Sequence, residues 1–524
     1  MARRGAYDLP LTGRKPGFIR IIRSSGFLIA LLTTALLASA TLSAQWQEVQ
    51  FDDSDMALDL NEALSFQKYP TYEHYVEMMQ RFASKHPGIC RLDTFGTSVE
   101  GRLLLALEIS DHPDRDEAEA GFFYTSTMHG DELVGFVLLL RLANFLLEEY
   151  GSDSEVTRLV ENLSIRINPL ANPDGSYSAD WGTSLLNASR YTAEGIDLNR
   201  NFPAPGLGEA DDTTGRALEN RHMMNFLREQ RFTLSANIHS GAEVVNYPWD
   251  HSFKLHADDA WYRFISREYA DEAMAVDQDY MFGWPDQGIT NGAEWYIVAD
   301  GRQDYVNYYL EGREVTLELS NEKLLSSEYL EEFWNKNKRS LINYMSQCLY
   351  GIRGLVTDAG SGKPVRALIR IPGHDSTYSV VHSTAEHGDF YRLIKEGVYD
   401  LVVSAPGYLS DTIRGVEVVD YQATPLHIVL TADPKLGVAG GPELPELRIY
   451  PNPAANILFL DLPPISSAHL MLTITNITGQ IIENIKVPNP ESPLSINIEH
   501  LKTGIYIFTI SSEESSHTLR FLKE

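Results

Sequence analysis

The chain has 524 residues, 43% hydrophobic and 22% charged, which is ordinary globular composition spread over about two to four domains. A net charge of −29 and a pI near 4.9 argue against nucleic-acid binding, which rests on neutralising phosphates with Lys and Arg. The same charge fits an exposed, soluble chain whose copies repel one another, and a monomer is expected.

The N-terminus reads as an export signal over residues 1–44. Arg3, Arg4, Arg14, Lys15, Arg20 and Arg23 precede an apolar core from Phe27 to Ala38, and Ala38-Ser39-Ala40 and Leu42-Ser43-Ala44 offer cleavage sites. The apolar run is short for a membrane-spanning helix, and an uncleaved anchor is the alternative. No later segment reaches ~18 continuous apolar residues, so no membrane span is expected in the mature protein. Residues 45–70 form a lead-in. The two cysteines, Cys90 and Cys348, can pair in an exported protein or stand as buried free thiols. Neither lies in a Cys-x-x-Cys, which excludes a cysteine zinc site.

Residues 71–350 alternate helical and strand patterns. Helix-like runs cover Tyr72–His86, Leu133–Glu149, Leu218–Glu229, Trp261–Ala275 and Tyr329–Leu349. Strand-like runs cover Leu103–Ile109, Phe122–Ser126, Leu163–Asn168, Thr233–His239 and Glu314–Ser320. This predicts an α/β sheet covered by helices. Gly206–Gly215, rich in Gly, Asp and Thr, reads as a surface loop. From Gly351 the pattern changes to short strands separated by turns, a small β-sandwich over 351–432. A Pro- and Gly-rich linker (433–447) and a second all-β unit (448–524) follow.

The chemistry-bearing residues sit at strand ends. Ser126-Thr-Met-His-Gly-Asp-Glu132 follows a strand and precedes a helix, placing His129 and Glu132 where both can reach one zinc ion. His239 ends another strand and is the natural third ligand, leaving one position for water. Asn199 and Arg200, in Asp197-Leu-Asn-Arg-Asn-Phe-Pro203, can bind a carboxylate, with Arg190 as a second cation. Asp197 can hold the His129 imidazole. For Glu318, an exposed strand face shared with Glu314, Thr316 and Ser320 is a sufficient explanation by periodicity alone.

The region resembles the zinc metallocarboxypeptidases, and among them the N/E or regulatory subfamily. The matching segments are Met128-His-Gly-Asp-Glu132, Asn172-Pro-Asp-Gly175, Asp197 to Pro203, Ser235-Ala-Asn-Ile-His239 with Val245-Asn-Tyr-Pro-Trp-Asp250, Gly288-Ile-Thr-Asn-Gly292, Gln303-Asp304 and Thr316-Leu-Glu-Leu319. The resemblance implies the metallocarboxypeptidase fold, an α/β architecture with a mixed sheet covered by helices, followed by two small all-β sandwich domains. It implies one Zn2+ per chain on His129, Glu132 and His239, with Arg190 polarising the scissile carbonyl. Asn199, Arg200 and Tyr296 would grip the terminal carboxylate, and Glu318 would be the general acid/base. Asp250 and Gln303 would line the pocket for the C-terminal side chain and favour Lys or Arg. Asp131 departs from the Asn common in the subfamily. Residues 351–432 resemble the transthyretin-like sandwich of these enzymes. Residues 448–524, with Ile449-Tyr-Pro-Asn-Pro453, Thr475-Asn-Ile-Thr-Gly479 and Thr503-Gly-Ile-Tyr-Ile507, resemble the sorting domain of type IX secretion.

The expected protein is thus a secreted or cell-surface zinc peptidase, exported through the periplasm, whose partners are peptide or protein C-termini and the type IX machinery. Two other readings compete. A relative acting on amide-linked acyl amino acids or cell-wall peptides would not need Asn199, Arg200 and Tyr296 together. A non-catalytic adhesin would show a broken zinc or base position.

Overall fold

The apolar runs come together as one wide sheet in the computed structural model, which describes residues 50–178, 182–284, 286–376, 378–433, 448–450, 452–461, 469–476, 481–488, 494–511 and 516–523. The expected signal peptide, the linker beyond residue 433 and parts of the tail motifs lie outside the described residues. Residues up to 405 with 410–430 form one compact unit, and 406–409 with 431–524 a second.

In the first unit the strands are β1 (Cys90–Thr97), β2 (Leu103–Ile109), β3 (Ala120–Ser126), β4 (Leu163–Asn168), β5 (Leu234–His239), β6 (Ala242–Tyr247), β7 (Ile289–Asn291) and β8 (Arg313–Ser320). Their order in the sheet is β1-β2-β4-β3-β5-β8-β6-β7. The pairs β3–β4, β3–β5, β5–β8 and β6–β7 are parallel, and β1–β2, β2–β4 and β6–β8 antiparallel, so the sheet is mixed as expected.

Helices α1 (Tyr72–Lys85), α2 (Val134–Glu149), α3 (Leu218–Gln230), α4 (Asp259–Val276), α5 (Arg302–Tyr309) and α6 (Leu330–Ser346) cover it on both faces. The Thr71 hydroxyl caps α1 by accepting from His74 N–H at 3.2 Å. Tyr75, Met78, Met79 and Phe82 then repeat at helical spacing and are buried. Along β3 the side chains alternate. Phe122 and Tyr124 enter the core shared with α1, α2, α4 and α6, while Phe123 enters the one shared with α3 and α5.

Strands β1, β6 and β7 and helix α5 were not among the expected elements, because they are short or half-exposed and lack a clean apolar period. Periodicity left open an exposed face for Glu314, Thr316, Glu318 and Ser320, and the structure closes that alternative. Strand β8 is buried along its whole length, because it lies between β5 and β6 with helices on both sides. Cys90 and Cys348 are buried free thiols, and burial pushes the Cys90 thiol up to about 12.

The sandwich comprises β9 (Gly351–Asp358), β10 (Leu368–Arg370), β11 (Val381–His382), β12 (Asp389–Arg392), β13 (Gly397–Ser404), β14 (Asp411–Val418) and β15 (Ala423–Leu430), in sheets β11-β10-β13-β14 and β12-β9-β15. It is tied to the larger sheet through Asp258, the residue before α4. That carboxylate accepts from Arg313 (2.9 Å) of its own layer, and from Arg392 (2.8 and 2.9 Å) and His374 (2.8 Å) of the sandwich. Burial alone would raise its pKa, but Arg392, Arg313 and His374 hold it well below the carboxylate range. The stabilisation is therefore present above the ordinary carboxylate pKa and lost only as pH falls through the lower folded value. Asp258→Ala strands buried guanidinium groups and should cost about 3–5 kcal/mol, measured by denaturant unfolding at neutral pH. A loss below ~1 kcal/mol would show that the network is dispensable.

The second unit carries two antiparallel sheets. Strands Arg448–Tyr450, Ile457–Asp461 and Leu494–Asn497 form one, and His469–Asn476, Ile481–Pro488, Gly504–Ser511 and Ser516–Lys523 the other.

Candidate active site

The carboxyl ends of β3, β5 and β8 lie side by side, and in open sheets that is where ligands bind. The chain leaves β3 through Thr127, held at φ 60°, a left-handed conformation rare for a β-branched residue. Asn172 secures the turn: its N–H donates to Thr127 O (3.1 Å), its amide to Met128 O (3.2 Å), and its Oδ1 accepts from Gly175 N–H (2.9 Å). Gly130 is required here, since a Cβ would stand 2.4 Å from the Gly175 carbonyl carbon. The result turns His129 and Glu132 inward toward His239 at the end of β5.

Three ligand atoms converge. His129 Nδ1 lies 3.0 Å from Glu132 Oε1, His239 Nδ1 lies 2.7 Å from Glu132 Oε2, and the two Nδ1 atoms are 3.1 Å apart. Tetrahedral zinc bonds of ~2.0–2.1 Å place ligand atoms about 3.3 Å apart. The arrangement therefore fits zinc after a shift of a few tenths of an ångström. Two imidazoles and a carboxylate aimed at one point are a donor set suited to a zinc ion.

The outer nitrogens are held too. His129 Nε2 faces Asp197 Oδ1 at 3.1 Å, which fixes Nδ1 as the free acceptor. His239 Nε2 faces the Asn237 amide at 2.7 Å, and Asn237 Oδ1 is buried without a partner. Turning that amide over satisfies both groups with Nε2–H donating, the tautomer a metal on Nδ1 needs. Electrostatics agree for Glu132 and His239, while the burial of His129 is outweighed by Glu132 and Asp197, which raise its pKa. Burial opposes a charged Glu132, but His129 and His239 hold its carboxyl well below the usual range. Burial lowers His239 to about 4, so its imidazole is neutral.

Arg190 Nε donates to Asp197 Oδ2 (2.8 Å), and its Nη1 lies 3.1 Å from His129 Nδ1 and 3.5 Å from Glu132 Oε1. Opposite, β5 and β8 pair His239 with Glu318 in register, bringing the Glu318 side chain to the same cavity. Its Oε2 is buried and unpartnered. Burial, then the Glu132 charge, pushes the Glu318 carboxyl well above the usual range.

The cavity, about 190 Å³, is also lined by Asn199, Asp250, Trp295 and Tyr296. Asn199 Oδ1 accepts from Arg302 N–H (2.9 Å), Arg200 Nη1 donates to Asn199 O (2.7 Å), and the Tyr296 hydroxyl bonds to Arg200. Asp250 is buried, and burial with the Asp304 charge raises its carboxyl well above the ordinary range. Its Oδ1 accepts from Asn246 (3.0 Å) and Gln303 (2.9 Å). A Cβ at Gly292 would lie 1.8 Å from that oxygen, so only glycine lets the chain pass there. Gln303 is buried and donates its amide to Asp250 Oδ1, and neither it nor Arg200 is among the residues that line the cavity directly.

Sequence reasoning missed Lys323 and Asn237. Lys323 Nζ donates to Glu132 Oε1 (2.9 Å) and lies 3.4 Å from Asp131 Oδ2, so the departing Asp131 has a cationic partner. Nothing in the spacing of Lys323 signalled this, whereas Asn237 stood two residues before His239 within a matched segment. A wider polar cleft of about 880 Å³ lies among Gly121, Thr233 and Arg313, at the opening ends of β3, β5 and β8. The chemistry belongs to the smaller cavity, which faces the carboxyl ends and gathers the convergent ligands.

Residues 75–340 match the zinc carboxypeptidase family, 351–431 the carboxypeptidase regulatory-like domain and 448–524 the secretion system C-terminal sorting domain. The chain belongs to the zinc carboxypeptidase family, whose metal is zinc, and it carries a tail that directs secretion. Among its relatives are human carboxypeptidase D, 37% identical over 358 residues (64% of this chain, 25% of that protein), and the mouse carboxypeptidase N catalytic chain, 34% over 398 residues (68% and 86%). The chain thus spans about a quarter of the length of the carboxypeptidase D proteins it matches. Among solved structures it is similar to carboxypeptidase A from Helicoverpa armigera, with a TM-score of 0.45 and 21% identity, covering 61% of this chain and 80% of that one.

Proposed function

We propose that this chain is a secreted, zinc-dependent carboxypeptidase that hydrolyses the C-terminal bond of peptides or proteins and favours C-terminal Lys or Arg. The observation that carries this reading is the unpartnered Glu318 carboxylate facing His129, Glu132 and His239 across a cavity that also holds carboxylate-binding groups. Zinc, when bound, supplies a Lewis acid that lowers the pKa of water and polarises a carbonyl. His129, Glu132 and His239 would hold it. Arg200, Asn199 and Tyr296 grip the α-carboxylate of the substrate, which restricts cleavage to the last bond. Glu318 takes a proton from the attacking water and returns it to the leaving amine as the C–N bond breaks. Arg190, steadied by Asp197, faces the oxygen on which negative charge develops.

Basic preference is supported by Asp250. A carboxylate this buried, with Asp304 beside it, is costly to ionise unless a cation joins it, and a Lys or Arg side chain supplies one. The N and D relatives fit this reading by the likeness of their catalytic regions. The net charge of −29 opposes self-association and supports a monomer, and the tail supports the type IX machinery as partner. Matched peptides ending in Arg, Lys, Phe and Leu test the preference. Arg and Lys should be cleaved best. Asp250→Ala should lower kcat/KM for them by about thirtyfold or more, the effect of losing ~2 kcal/mol or more of buried charge pairing. Equal cleavage after Phe would remove the basic preference and leave the peptidase reading standing.

A further inference from the structure

The segment carrying Asp250 is a structural junction. Three of its carbonyl groups are engaged from one side: Asn291 Nδ2 donates to Pro248 O (2.9 Å), Ala293 N–H to Trp249 O (2.8 Å) and Val298 N–H to Asp250 O (3.1 Å). Those donors flank Tyr296. From the other side Asp304 of α5 accepts from Asp250 N–H (3.0 Å), His251 N–H (2.8 Å) and His251 Nδ1 (2.6 Å). The backbone of residues 248–251 therefore fixes both the pocket acid and the tyrosine that meets the substrate carboxylate.

The outer surface of this junction is closed by the β-sandwich. Tyr378, between β10 and β11, stacks on Tyr308 of α5 with centroids 3.8 Å apart and an interplanar angle of 26°. The two hydroxyls are hydrogen-bonded at 2.8 Å. The Trp249 ring meets both tyrosines edge-on, each at 6.3 Å. The same sandwich segment is anchored next door, where Arg313 donates to Ser379 O (2.9 Å) and His374 bonds to Asp258 (2.8 Å). Tyr378 thus braces the α5 face and the Trp249 ring between which the Asp250 backbone is held.

We propose that the sandwich is a working part of the substrate pocket and that Tyr378 is its positioning residue. This rests on the reading that Asp250 and Tyr296 bind the substrate C-terminus. Removing the ring frees Trp249 and α5 to shift, which loosens the hold of Asp304 on the Asp250 and His251 amides. Binding suffers, while Glu318, His129, Glu132 and His239, on other strands, keep their places.

The test compares full-length wild type, Tyr378→Ala, Tyr378→Leu and Tyr378→Phe on peptides ending in Arg, Lys, Phe and Leu. Tyr378→Ala should raise KM for the preferred peptide about three- to tenfold with kcat within about twofold, the scale of one aromatic pair. Tyr378→Leu keeps apolar bulk without the stacked ring and should move KM the same way. Tyr378→Phe retains the stack and should restore KM to near wild type. Zinc per chain should be equal in all four. A purely structural residue would lower the folded, zinc-loaded fraction and leave KM alone. Unchanged KM in Tyr378→Ala, or in Tyr378→Leu should the alanine variant not fold, overturns the proposal. Wild type that prefers Phe would overturn the basic preference instead, and the KM shift on its preferred peptide would still report the brace through Tyr296.

Discussion

Glu318→Gln should abolish peptide hydrolysis, by roughly 10³-fold or more, while the purified variant retains one zinc per chain. The amide has the shape of the carboxylate but cannot take a proton from water. The ligand set is untouched, since Glu318 Oε2 bonds to no ligand atom. The same substitution carries a second signature. In the metal-free chain, burial and the Glu132 charge raise the Glu318 carboxyl well above its ordinary value. An acid with a raised folded pKa penalises the folded state once pH exceeds the unfolded value of ~4.3, and the penalty grows until the folded pKa is passed. Metal-free Glu318→Gln should therefore unfold at a higher temperature than metal-free wild type at neutral pH, and the difference should vanish toward pH 4. Substantial turnover in Glu318→Gln would remove this residue from the chemistry. A Tm gap independent of pH would remove the burial argument.

His239→Ala should lose zinc outright, as read by metal content after dialysis, and activity with it. Among the described residues three protein ligands converge on the site, and two cannot hold zinc against a modest chelator. His129→Ala should do the same. The thermal response separates metal binding from packing. Zinc stabilises wild type through mass action on the folded state, so added zinc should raise its Tm and leave that of His239→Ala in place. Among the described residues two other groups could collect a cation on distance alone. Asp258 and Asp375 already face the Arg392 guanidinium and His374 bonds to Asp258, while Asp111, His112 and Glu117 are partly exposed. Full zinc retention in His239→Ala would shift attention to those groups.

The sequence by itself determined the class of fold and the residues from which the site is built. The runs at β2, β3, β4 and β5 are rich enough in apolar residues to name as strands, because a strand covered on both faces is mostly apolar. The ordered segments around His129, Asn199, His239 and Glu318 marked the candidates, because they carry metal-ligating and carboxylate-binding residue types and resemble the zinc metallocarboxypeptidases in order and spacing. Tertiary structure decided the rest. Period-two reasoning could not decide between a solvent face and a buried site for Glu318, and the placement of β8 between β5 and β6 buries it. The hydrogen bond from Gln303 to Asp250 depends on how α5 packs beside that loop. Lys323 reaches Glu132 across 191 positions of sequence, and Tyr378 reaches Tyr308 across 70 from a different domain. Such contacts are set by how the sheet is ordered and how the sandwich docks on it. Those depend on burying apolar surface over whole layers, which no local run of residues encodes.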